Sequence, residues 1–153
     1  MSAIQSLLGQ AGLLEEFKAY YRDYKRLLVD DLGKLYEDTI IFRDPVQEVR
    51  GINVLRRYLT ATRDAVSTCR FEYLDQLTGQ DSAYIKWNMH FTHSQLANKP
   101  LTVRGITHIQ FKLRIVYHED VYDLGEMLYD NIPLLGLATR LLKNRLKTGH
   151  GTR

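Results

Sequence analysis

The hydrophobic repeat changes period part-way along the chain, and that change constrains the fold more than any other feature. Residues 13–28 place Leu13, Leu14, Phe17, Tyr20, Tyr21, Tyr24, Leu27 and Leu28 at spacings of three, four and seven, one stripe of an α-helix. Asp30 or Asp31 is placed to cap a short helix running through Tyr36. Thr39–Asp44 reads as a strand that Pro45 ends, because proline has no N–H for the ladder. Gly51 then opens a second amphipathic helix, with Ile52, Leu55, Tyr58, Leu59, Thr62 and Val66 on its inner face. Beyond it the period is two. Strands are expected over 69–77, 83–93, 101–111 and 114–123, with a hairpin loop at 94–100 and a tight connection between the last two. Helices followed by a run of antiparallel strands predict an α+β fold: a curved, mostly antiparallel sheet wrapped by N-terminal helices, with a further helix after it. A curved sheet closed by helices makes a cone with a central pocket.

Length permits one such domain. The 153 residues are too few for two ordinary domains but enough for a core without staples. Residues 1–12 are expected to form a flexible leader, 13–147 the domain with a helical extension over 124–147, and 148–153 a disordered tail. The single cysteine, Cys69, excludes an internal disulfide and a multi-cysteine zinc site. No apolar run is long enough to span a membrane and the start lacks a secretory pattern, so a soluble, cytoplasmic protein is expected. The net charge of +3 comes from the end of the chain. Arg140, Lys143, Arg145, Lys147 and Arg153 face only Glu126 and Asp130 there, and the remaining residues carry equal numbers of each sign. That is too narrow a basic surface for a nucleic-acid protein. The leucine stripe of the same segment, from Leu134 to Leu146, either closes the cone, packs on a partner, or rests with those basic groups on an anionic membrane surface; closure is the preferred reading.

The segments Tyr36-Glu-Asp-Thr-Ile-Ile-Phe-Arg-Asp-Pro-Val46, Trp87-Asn-Met-His-Phe-Thr-His93, Gly105-Ile-Thr-His108 and Arg114-Ile-Val-Tyr-His-Glu-Asp-Val-Tyr-Asp123, in that order, resemble the SnoaL-like branch of the nuclear transport factor 2-like superfamily. The resemblance covers residues 13–124. The superfamily holds ketosteroid isomerases, polyketide cyclases, epoxide hydrolases, dehydratases and noncatalytic binding modules, so the fold does not choose an activity. By resemblance, Asp44 matches the isomerases' general base, and Tyr20 matches their first-helix oxyanion donor, with Tyr21 and Tyr24 as alternatives. Thr107 stands where those isomerases carry a protonated aspartate, which argues against a steroid isomerase. His118 and Asp120 lie on the last strand, where cyclases and hydrolases of the superfamily place acid/base groups. The resemblance also implies pairing of two copies through the outer sheet face, which would carry Lys86, His90, Arg104, Ile106, His108 and Tyr117.

Strand alternation sorts the other positions. Ile85, Trp87, Met89, Phe91 and His93 share one face, and its apolar character turns it inward. Gly105, Thr107, Ile109 and Phe111 follow the same logic, while the resemblance turns His118, Asp120 and Tyr122 inward. The expected catalytic set is therefore Asp44, His118, Asp120 and Tyr20. The expected ligand wall is Trp87, Met89, Phe91, His93, Thr107, Ile109 and Tyr122. A carboxylate in an apolar cone loses solvation, which suits it to act as a base. The opposing readings are a turn aspartate at position 44, a structural polar pair at 118 and 120, and a strand-end histidine at 93 held by its loop. His90 and His93 fall on opposite strand faces and His118 with Asp120 lacks a third ligand, so no metal is expected. No glycine-rich phosphate loop or serine elbow is present, so no cofactor is expected. The reading is an apolar small-molecule pocket with acid/base catalysis on a carbonyl or epoxide, or else a noncatalytic binding or protein-interaction module of the same shape.

Overall fold

Helical segments cover one face of a six-stranded sheet, and the computed structural model describes residues 3–129 of the chain. Helix α1 spans Ala3–Tyr21. It begins well ahead of the stripe that starts at Leu13 and stops short of Leu28. Its end has a physical cause. The Arg22 carbonyl accepts the Phe71 N–H at 3.0 Å, and Asp23 forms an isolated bridge with Arg70. The chain is drawn onto a strand edge before another helical turn forms, and Tyr24–Arg26 is a single 3-10 turn.

The short helix α2 spans Leu32–Leu35. Asp31 holds its N-cap position but makes no capping bond; its carboxylate pairs with Lys34 at 2.9 Å instead. Tyr36 opens strand β1, Tyr36–Arg43, rather than closing the helix, because it pairs with Ile115 of the last strand. A short strand the sequence pattern missed, β2 (Glu48–Arg50), returns antiparallel along β1. Three residues are too few to show a period. Gly51 follows with φ +87, a region L side chains rarely adopt, and its N–H donates to the Ile40 carbonyl at 2.8 Å. Helix α3, Ile52–Ala65, then lays Ile52, Leu55 and Leu59 on the sheet.

Strands β3 (Thr68–Thr78), β4 (Ser82–Thr92), β5 (Leu101–Phe111) and β6 (Ile115–Tyr122) complete the sheet in the order β2-β1-β6-β5-β4-β3. All neighbours are antiparallel except β1 and β6, which the long intervening chain allows to run parallel. Strand β5 alternates as its period predicts: Leu101, Val103, Thr107, Ile109 and Phe111 are buried. The core falls into two clusters. The larger gathers α1, α2 and α3 residues with Ile40, Ile85, Ile109 and Ile115. The smaller holds Cys69, Phe91, Leu101 and Val103.

After β6 the described chain ends in a π-helical turn, Gly125–Tyr129. The leucine stripe from Leu134 and the basic residues from Arg140 onward lie outside the described residues. Among the described residues no helix is long and apolar enough to cross a membrane.

Candidate functional site

Between the two clusters the helices and sheet do not meet, and a cavity of about 360 Å³ opens. Tyr21, Phe42 and Leu59 reach it from the larger cluster, Cys69 and Phe91 from the smaller. Trp87, Met89, Phe91, His93 and Tyr122 line it. Two expected wall residues do not. Ile109 is consumed by the larger cluster, with no exposure. Thr107 lies behind Trp87, accepting the indole Nε1–H on Oγ1 at 2.8 Å. Alternation gave the correct face for both, but depth along the cone is not encoded in a period of two.

Strand register builds the polar part of the wall. Thr107 stands opposite Asp120 across β5 and β6, and Ile109 stands opposite His118. The Thr107 hydroxyl donates to Asp120 Oδ1, and His118 Nε2 meets the same oxygen at 2.9 Å. Oδ2 of Asp120 has no protein partner among the described residues, and Asp120 lines the cavity. His118 does not line it. The imidazole is 2% exposed and enclosed by the rings of Phe17, Tyr21, Tyr36 and Phe42. Its Nδ1 lies 2.7 Å from the Tyr36 hydroxyl, which lies 2.7 Å from the Tyr21 hydroxyl. A neutral imidazole that donates from Nε2 to the carboxylate accepts at Nδ1. Tyr36 then donates to His118 and Tyr21 donates to Tyr36, so each buried polar atom in the row has a partner. Both ends of the row, Asp120 and Tyr21, line the cavity.

Asp44 is both the turn residue and the cavity residue that the sequence left as alternatives. Oδ1 accepts the N–H groups of Val46 at 2.8 Å and Gln47 at 3.0 Å, and Oδ2 accepts the Tyr58 hydroxyl. Asp44 also lines the cavity, near exposed Val46 at its rim. Three of its four lone-pair positions are thus occupied, whereas Asp120 keeps a whole oxygen free. His93 caps the turn after β4 by accepting the Gln95 N–H on Nδ1 at 3.1 Å, the loop-held role, while still lining the cavity.

Tyr20 is displaced from its expected place. Its hydroxyl donates to the Leu28 carbonyl at 2.7 Å and it does not line the cavity; Tyr21 and Tyr24 do. Because α1 stops at Tyr21, a one-residue rotation of the helix face decides which tyrosine points inward. Tyr36 and Tyr58 were missed as site residues. The parity of Ile40 and Phe42 on β1 reaches back to Tyr36, but the sequence pattern begins the strand at Thr39 and so leaves Tyr36 outside it. Tyr58 is legible as inner-face but not as the partner of Asp44, 14 residues away across a turn and β2.

Burial is the largest influence on the cavity phenols. It pushes Tyr21, Tyr24, Tyr36, Tyr58 and Tyr122 above the usual phenol range, so they remain neutral donors. At Tyr122 the charges of Asp44 and Asp120 add to burial, and at Tyr58 the Asp44 hydrogen bond does. Burial likewise pushes the Cys69 thiol up to about 12, leaving it a small apolar wall residue. Among the described residues no cluster of three or more His, Cys, Asp or Glu is arranged to hold a metal ion.

Residues 17–118 match the family model for the SnoaL-like domain. No curated protein matches the chain. Among solved structures it is similar to AclR from Streptomyces galilaeus, at 14% identity and a TM-score of 0.66, over 99% of this chain and 100% of that one. It is also similar to TerC co-crystallised with polyporic acid, at 11% identity and a TM-score of 0.65, over 75% of this chain and 92% of that one. A protein of ketosteroid isomerase-like fold from Catenulispora acidiphila, in complex with trimethylamine, shares 16% identity with a TM-score of 0.62, over 69% of this chain and 82% of that one. At these identities the likeness is one of fold.

Proposed function

Because the chain belongs to the SnoaL-like domain family, whose fold hosts many chemistries, the activity has to be argued from the cavity, and we propose acid/base catalysis on a small apolar molecule with Asp120 as the base. One observation carries this reading. Asp120 lines an apolar cavity with Oδ2 unpartnered among the described residues, while His118 and Thr107 fix Oδ1 from behind. A carboxylate so held is aimed at the cavity with one oxygen left to accept a proton. His118 is a positioning residue: it orients Asp120 by donating from Nε2 to Oδ1. Tyr21, at the other end of the row, lines the cavity with its one hydroxyl proton engaged by Tyr36, so it presents an acceptor to the bound molecule. Asp44 is a second polar point near the rim. Support for a small-molecule occupant comes from two fold relatives that hold such molecules, trimethylamine and polyporic acid.

The test uses a neutral, apolar probe that reports a base directly. The C–H proton of 5-nitrobenzisoxazole is removed by a carboxylate as its N–O bond breaks, releasing a coloured phenolate. The wild-type protein accelerates this elimination, and Asp120→Asn lowers the rate by about tenfold or more with little change in melting temperature. Equal rates in the two proteins would leave only the noncatalytic binding module.

Two copies are further proposed to pair through the outer sheet face. Ile106 and Val121 stand opposite each other there, 44% and 57% exposed, beside the stacked rings of Tyr84 and His108. Sedimentation at micromolar concentration should give the dimer mass, and Ile106→Lys should give the monomer.

A further inference from the structure

The cavity's charge is one-sided. Among the described residues Asp44 and Asp120 both line it, and no lysine or arginine does. The one basic side chain in its wall, His93, already uses Nδ1 as an acceptor for the Gln95 N–H. Asp120 has His118 behind it, but no cation lies within ion-pair distance of Asp44 among the described residues. Both carboxylates act on the same space, since the charges of both raise Tyr24 and Tyr122. The rest of the wall is aromatic: Tyr24, Tyr58, Phe71, Trp87, Phe91 and Tyr122 all contribute. Two negative charges in an apolar hollow without a countercharge are costly, and the faces of aromatic rings attract cations. An anionic ligand, whether carboxylate, phosphate or sulfate, meets repulsion from both aspartates and finds no lysine or arginine among the described residues.

From this arrangement we infer that the ligand is a cation, an apolar molecule bearing an amine or quaternary ammonium group that sits among the aromatic rings between Asp44 and Asp120. The inference deepens the small-molecule reading of the same cavity, but it does not require Asp120 to act as a base. Asp44 holds the charged head, with its remaining lone pair and its field. The ligand's apolar body fills the space against Trp87 and Phe91. A volume of about 360 Å³ admits a head of a few heavy atoms with a ring attached.

Benzyltrimethylammonium and neopentylbenzene test it, because they have the same shape and differ in a single charge. Binding is followed through Trp87, the only tryptophan in the chain, and through the melting temperature. The cation is expected to bind at least about tenfold more tightly than the neutral isostere. Asp44→Asn keeps a side-chain oxygen for the Val46 and Gln47 amides and should reduce that preference severalfold, with the affinity for neopentylbenzene unchanged. Asp120→Asn provides a second, independent reduction if the first variant does not fold. Equal affinities for the two probes, no binding of the cation at millimolar concentration, or a preference untouched by both substitutions would each overturn the inference. The benzisoxazole elimination is read separately. A cation preference without elimination retains the inference and removes the base. Elimination without a cation preference does the reverse.

Discussion

Gly105 has no side chain, and the indole of Trp87 fills the space one would need. A Cβ built there would lie 2.2 Å from Trp87 Cη2 and 2.5 Å from Cζ2. Trp87 stands opposite Gly105 in the ladder, and the flat approach lets Nε1 reach Thr107 two residues on. Thr107 in turn donates to Asp120, so the glycine indirectly sets the carboxylate's position. Gly105→Ala is expected to push the ring off its seat and cost about 1–3 kcal/mol, the usual penalty for overpacking. Thermal unfolding measures the loss, and a shifted emission of the single tryptophan reports the displaced ring. An unchanged melting temperature with unchanged emission would show that the indole is not seated where the geometry has it. At this scale the sequence was informative about direction and silent about partners. Alternation turned Trp87, Thr107 and Asp120 to one side, but nothing in one strand says which residue of its neighbour stands opposite. The Trp87–Thr107–Asp120 row exists only once the register is known.

At the scale of elements, β6 matters most, since it brings His118 and Asp120 to β5 on one side and sets His118 opposite Phe42 of β1 on the other. Its parallel pairing with β1 is what allows Tyr36, from the start of β1, to meet His118. The long strands were legible because each repeats its period several times. Strand β2 was not, and neither was the end of α1, which a strand-edge hydrogen bond decides rather than any helix-breaking residue. Misplacing that end also misplaced the inward tyrosine. The buried row gives a sharp prediction. His118→Leu removes the partner of the Tyr36 hydroxyl and one of two donors to Asp120, leaving polar atoms unpaired in an apolar setting. The expected cost is about 2–4 kcal/mol, seen as a lower urea midpoint. Tyr36→Phe leaves only the imidazole Nδ1 and the Tyr21 hydroxyl to adjust, at about 1–2 kcal/mol. If the two variants unfold at the wild-type midpoint, the row is not closed in solution.

At the scale of the whole molecule, the neutral phenols in and behind the cavity wall tie stability to alkaline pH. Burial raises the ionisation of Tyr21, Tyr24, Tyr36, Tyr58, Tyr73 and Tyr122 above the ordinary phenol value of 10.0, and that of Cys69 from 9.0 to about 12. Each group binds its proton more tightly in the folded chain than in the unfolded one. Stability from these groups is therefore complete below about pH 9, where both states are protonated, and declines as pH rises, because the unfolded chain releases protons that the folded one retains. The fall starts with the thiol's ordinary value near 9 and steepens past 10 as the phenols join it. Titration with base should leave the melting temperature level from pH 7 to 9 and lower it steadily above that. The buried phenols should ionise only as the fold is lost, so tyrosinate absorbance near 295 nm should rise in one cooperative step together with the loss of far-ultraviolet dichroism. A smooth titration of all ten tyrosines around pH 10 with the dichroism intact would mean that solvent reaches the phenols freely. The cavity would then be too wet to hold an apolar molecule against its aromatic wall, so this titration bears on the fold and on its proposed chemistry together.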